Sequence, residues 1–200
     1  MDPQPDLRQE LIAQRVIPVL RLANAELTER AVDYLAEAGF RIFEITMTTP
    51  DALRLIKKFK AGAGTVLDLD TARRCLDAGA PFLVSPCLVL GMAKLAHDAR
   101  RLALIGGFTP GEIFAAHREG ADIVKVFPAS AAGPAHVRAL RAVFPAIPLC
   151  PTGGISLKNL NDYFAAGAAV VGVGNDIVDA EALAAGDRER VVAHARRFLQ

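Results

Sequence analysis

Lys125 is the only charge inside the apolar core of Asp122-Ile-Val-Lys-Val-Phe-Pro128, a run of strand character. Moving an ammonium into a low-dielectric interior is costly unless the amine is paired or becomes neutral. A lysine so placed is a candidate nucleophile toward a carbonyl. The bland alternative is a buried stem whose ammonium snorkels to the surface or meets an acidic partner. Ile123, Lys125 and Phe127 share one face of that strand pattern; Ile42, Glu44 and Thr46 share a face of a second, and Ile17, Val19 and Arg21 of a third. Each series starts apolar and ends in a polar or functional side chain, so an amine, a carboxylate and a guanidinium are expected to converge on one mouth. Such a set can attack a ketone, move protons around the adduct and clamp a substrate carboxylate with a two-donor fork. The structural alternatives are a buried Glu44–Lys125 ion pair and a surface ion pair for Arg21.

Two glycine turns form a second anchor. Thr152-Gly153-Gly154 and Gly172-Val-Gly174-Asn175 each follow a short apolar run near the end of the chain. Glycine pairs after strands are often plain turns. At the last two positions of an eightfold barrel, however, such loops favour phosphate, held by backbone amides. His97, His117, His136 and His194 lack metal-ligand spacing and are expected on solvated helix faces, so no metal site is expected. Cys75 and Cys150 lie in apolar-periodic segments and read as small core residues, while nothing around Cys87 marks a reactive thiolate.

The elements that must position these residues come as eight alternations. Short apolar, β-branched runs occur at Val16–Leu20, Phe40–Ile45, Ala61–Val66, Phe82–Ser85, Leu102–Ile105, Ile123–Phe127, Ile147–Cys150 and Ala169–Val173, with helical patterns between them. That count in this length predicts an α/β fold, a parallel (β/α)8 TIM barrel closed by outer helices. Residues 1–15 form an N-terminal segment with helical character, and 16–200 form one barrel domain. Gly39, Gly79, Gly120 and Gly167 each follow an apolar-periodic segment, where a left-handed helix stop is expected. Thr49-Pro50 reads as a helix cap followed by a first-turn proline, and Thr109-Pro-Gly-Glu112 has capping-box spacing. The third strand is anomalous: Lys57-Lys-Phe-Lys-Ala61 leaves almost no apolar lead-in, so that strand must be short or its preceding helix must end early.

Composition narrows the partners. Lys plus Arg number 23 against 22 Asp plus Glu, and a net charge of +1 gives no broad field for nucleic acid or anionic lipid. No uncharged apolar stretch reaches the ~20 residues of a membrane span, and neither export nor anchoring signal is visible. Three cysteines without paired spacing suggest a reducing cytoplasm.

With these residues in view, the chain resembles the 2-keto-3-deoxy-6-phosphogluconate (KDPG) and 2-keto-4-hydroxyglutarate (KHG) aldolases, a class I, Schiff-base family that includes 6-phosphogalactonate aldolases. The matching blocks are Pro18–Arg21, Phe43–Thr46, Gly62–Leu67, Val84–Pro86, Val124–Pro128, Pro151–Ile155 and Val171–Gly174, spanning nearly the whole chain. The resemblance implies that Lys125 forms the Schiff base and Glu44 shuttles protons. It implies pyruvate contacts at Thr65, Pro86 and Phe127, a carboxylate contact at Arg21, and Thr152 near the C4 hydroxyl. Gly153, Gly154 and Gly174 fall near a phosphate, with Asn175 at the usual serine. It implies no cofactor, pyruvate and a 2-keto-3-deoxy sugar acid phosphate as ligands, and a homotrimer. Gly106-Gly107 stands where the family commonly has Pro-Gly, which predicts a looser mouth there. Two readings of another class stay open: a phosphosugar isomerase or epimerase using Glu44 as base, and a non-catalytic phosphosugar binder.

Overall fold

The computed structural model describes residues 5–199. Its strands are β1 (Val16–Leu20), β2 (Glu44–Thr46), β3 (Gly62–Gly64), β4 (Phe82–Val84), β5 (Leu102–Gly107), β6 (Ile123–Val126), β7 (Leu149–Pro151) and β8 (Val171–Val173). All neighbours pair in parallel, in the order β7-β6-β5-β4-β3-β2-β1-β8. A single Thr152–Gly172 bridge joins the two edges, so the sheet is a nearly closed (β/α)8 barrel, as expected. The helices are α1 (Pro5–Gln14), α2 (Ala25–Ala38), α3 (Ala52–Phe59), α4 (Leu69–Asp77), α5 (Met92–Asp98), α6 (Pro110–Arg118), α7 (Gly133–Val143), α8 (Leu160–Ala165), α9 (Ala180–Ala185) and α10 (Arg188–Arg196). Residues 1–4, part of the expected N-terminal segment, lie outside the described residues.

Period two divides the core in two. Ile17, Ile42, Phe82, Leu104, Ile123 and Cys150 fill the barrel interior, with Leu11 of α1 packed against them. Leu20, Leu35, Ile45, Leu55, Leu83 and Val124 belong to the shell between strands and helices. The three inward-facing series therefore do start inside the barrel, and Cys75 and Cys150 are core residues. Among the described residues no helix is long and apolar enough to cross a membrane.

Local chemistry explains where the elements begin and end. Gly39, Gly79, Gly120 and Gly167 all have positive φ, from 90° to 117°, a conformation side chains with a Cβ rarely tolerate. Thr109 and Glu112 complete the capping box of α6. Three expectations need correction. Thr49 does not cap α3: its hydroxyl donates to the Leu20 carbonyl at 3.2 Å and lies 3.2 Å from that of Thr46, so α3 starts later, at Ala52 after Asp51. The second strand is shorter than its apolar run, because the Arg41 and Ile42 amides donate to the Gln14 side chain rather than to a neighbouring strand. His136 and His194 are half-buried rather than solvated, each with Nε2 on a backbone carbonyl, Phe108 and Asp176 respectively.

Candidate active site

Strand ends place the charged groups. Glu44 opens β2 and pairs in register with Val19 and Gly62, while Lys125 of β6 pairs with Gly106 and Cys150. Both side chains turn into the barrel and are almost wholly buried, Lys125 at 5% and Glu44 at 3% exposure. Lys125 Nζ lies 3.9 Å from Glu44 Oε1, too far for a hydrogen bond, and Oε1 has no hydrogen-bond partner among the described residues. Burial pushes the Glu44 carboxyl above the usual range, against the opposing pull of the Lys125 and Arg21 charges. The Phe127 ring stands 5.5 Å from Nζ. An amine and a poorly solvated carboxylate thus face the same small space, an arrangement suited to proton transfer at an adduct on the amine.

The carboxylate fits there because β3 ends in glycine. A Cβ on Gly64 would lie 2.0 Å from Glu44 Oε1. The same short strand delivers Thr65, in a left-handed conformation at φ 58°, to Arg21, whose guanidinium donates to the Thr65 hydroxyl at 3.2 Å. The shortened third strand therefore leaves Thr65 beside the mouth.

A cavity of about 390 Å³ opens above the amine. Arg21, Lys125, Phe127, Thr152, Gly153, Gly154, Gly174 and Asn175 all line it, bringing most of the expected residues together. Thr152 is buried and its hydroxyl donates to the Cys150 carbonyl at 3.3 Å. Glu44 and Thr65 sit beside this lining, attached through Lys125 and Arg21. Pro86 stays outside it: its backbone packs on Gly106, where a Cβ would come within 2.3 Å of the Pro86 carbonyl oxygen. The loop after β4 takes up the space that a side chain at Gly106 would fill. Ser156 and Asp176 also line the cavity and were not singled out from sequence. Their only signal is position, one shortly after each glycine turn. A larger cavity of about 420 Å³ lies under α1 at the opposite end, lined by Gln14, Arg15, Arg41 and Phe164, and contains none of these groups.

The chain is similar to known proteins along nearly its full length. A model of the KDPG and KHG aldolase family matches residues 7–194. A probable 2-dehydro-3-deoxy-6-phosphogalactonate aldolase of Rhizobium meliloti is 35% identical, over 96% of this chain and 92% of its own. A 2-dehydro-3-deoxy-phosphogluconate aldolase of Dickeya dadantii is 36% identical, over 96% of this chain and 93% of its own. Among solved structures, a KDPG aldolase from Legionella pneumophila, with pyruvate captured at low pH as a covalent carbinolamine intermediate, superposes with a TM-score of 0.86. It is 29% identical and the match covers 96% of this chain and 97% of that one. A barrel whose interior amine meets a buried carboxylate, matched from end to end by such relatives, makes this chain a member of the KDPG and KHG aldolase family, a lyase.

Proposed function

We propose that the chain is a class I aldolase that cleaves KDPG to pyruvate and glyceraldehyde 3-phosphate through a Schiff base on Lys125. The observation that carries this is the buried Lys125 amine 3.9 Å from a Glu44 oxygen that has no hydrogen-bond partner among the described residues. The neutral amine adds to the C2 ketone, and Glu44 gives a proton to the carbinolamine hydroxyl, which leaves as water to form an iminium and an ionised Glu44. Glu44 takes the C4 hydroxyl proton, the C3–C4 bond breaks, and its electron pair passes into the iminium to give an enamine. Glyceraldehyde 3-phosphate leaves, Glu44 returns the proton to C3, and hydrolysis releases pyruvate and the free amine. The iminium is the electron sink, so no step calls on a cofactor or metal.

Arg21 and Thr65, already bonded to each other, hold the C1 carboxylate, and Phe127 backs the pyruvate methyl. Thr152 lies near the C4 hydroxyl. Backbone at Gly153, Gly154, Gly174 and Asn175 receives the far end of the substrate. The Rhizobium meliloti relative favours a second substrate reading, the C4 epimer 2-keto-3-deoxy-6-phosphogalactonate, and KHG fits the same chemistry. We also propose a homotrimer: Leu67 and Leu90 are 57% and 69% exposed on the loops after the neighbouring strands β3 and β4. Three free thiols suit a reducing cytoplasm.

The test is pyruvate release from a panel of 2-keto-3-deoxy acids, each with and without a terminal phosphate. Native protein should release pyruvate and Lys125→Met should not. Equal pyruvate release by Lys125→Met would overturn the Schiff base on Lys125. Release from no substrate would leave an isomerase that uses Glu44 as an enolising base, or a binding protein.

A further inference from the structure

The far end of the catalytic cavity carries a charge that the aldol chemistry does not use. The backbone N–H groups of Gly154, Gly174 and Asn175 have no acceptor among the described residues, and all three residues line that end together with Gly153. Open amides after the last two strands of a barrel favour an anion. Asp176 lines the same end, and it is the only acidic residue in the lining. Its Oδ2 accepts from the Leu157 backbone N–H at 3.3 Å, tying the loop after β8 to the loop after β7. His194 Nε2 lies 2.7 Å from the Asp176 carbonyl and anchors its backbone. The two cations of the lining, Arg21 and Lys125, come from β1's C-terminal end and β6, and Lys158, nearest in the loop, does not line the cavity. A phosphate dianion here would meet amide dipoles together with a carboxylate that already holds one neighbouring amide, and no lysine or arginine of its own. A hydroxyl at the same place would meet an acceptor.

We infer that Asp176 sets the charge selectivity of this subsite: it weakens retention of a terminal phosphate and accepts from sugar hydroxyls, so 2-keto-3-deoxy acids ending in a hydroxyl are substrates alongside the phosphorylated ones. The substrates named rest on the aldolase reading; the binding of phosphate does not.

The test uses inorganic phosphate as probe, titrated calorimetrically into the full chain and into Asp176→Asn and Asp176→Ser, with melting temperature as the control for folding. Asparagine keeps an acceptor for the Leu157 amide and removes only the charge. It should tighten phosphate about tenfold, equivalent to about 1.4 kcal/mol, and added salt should shrink the difference. In turnover, kcat/KM for the phosphorylated acid over its dephosphorylated counterpart should rise by a similar factor, mostly through KM. Unchanged phosphate affinity in both folded variants overturns the inference, even if pyruvate is released from every acid. Tighter phosphate binding in a protein that releases no pyruvate upholds Asp176 as the charge filter and removes the aldolase reading instead.

Discussion

Gly64→Ala probes the proton-transfer geometry without replacing either reacting side chain. Gly64 is outside the left-handed region, so the backbone accepts alanine and the whole effect comes from the added methyl. That methyl would sit 2.0 Å from Glu44 Oε1 and 2.6 Å from its carboxyl carbon, whereas real Cβ contacts stay above 3.0 Å. The carboxylate must therefore retreat by about 1 Å, a displacement that costs about 10²-fold when it falls on a catalytic group. A hundredfold loss in kcat corresponds to about 2.7 kcal/mol on the barrier. Overpacking of this kind costs about 1–3 kcal/mol of stability, less than the roughly 5–15 kcal/mol that holds a typical domain together. Steady-state pyruvate release measures kcat, and borohydride reduction in the presence of pyruvate reports whether the Lys125 amine still condenses. The expected pair of results is kcat down about a hundredfold with the pyruvyl adduct retained. A variant with native kcat would refute the role of Glu44 geometry, and a folded variant that loses the adduct would show that Gly64 serves the lysine instead.

Other consequences can be read from the same contacts. Burial raises the Glu44 pKa, and the proposed base must be ionised to take the C4 proton, so activity is present above that pKa and lost as pH falls through it. The acidic limb of kcat should lie above the ordinary glutamate range, and Glu44→Gln should remove the limb while lowering kcat by about 10²–10⁴-fold. Arg21→Gln removes a charged donor beside Thr65; KM for the keto acid should rise roughly 10–100-fold, the equivalent of one charge-assisted hydrogen bond. A fall in kcat alone would argue against carboxylate binding there. Gln14→Ala leaves the Arg41 and Ile42 amides without their acceptor at the opposite end of the barrel. It should cost about 2 kcal/mol and lower the melting temperature by roughly 4–8 °C, with pyruvate trapping unchanged.

The alternation of strand and helix was legible because four of the helices end on a glycine and most strands carry an apolar run, and Gly39, Gly79, Gly120 and Gly167 do adopt the left-handed turn. Lys125 and Glu44 were legible for a different reason, a single charge at an inward position of an apolar series. Where the reading failed, a group from another part of the chain had taken the hydrogen bond. Gln14 takes the amides that would have extended β2, and Leu20 takes the hydroxyl that would have capped α3. Neither partner is adjacent in sequence, so no local pattern reveals them. Asp176 escaped notice as one acid after a turn, and only the folded loops set it against the amide of Leu157.

The most direct test of the account is the fate of one amine. Borohydride reduction of the native protein with pyruvate, followed by peptide mapping by mass spectrometry, should leave a single reduced pyruvyl group, carried by Lys125, and Lys125→Met should take up none. A fully active protein that gains no adduct, or gains it on another lysine, would contradict the central claim.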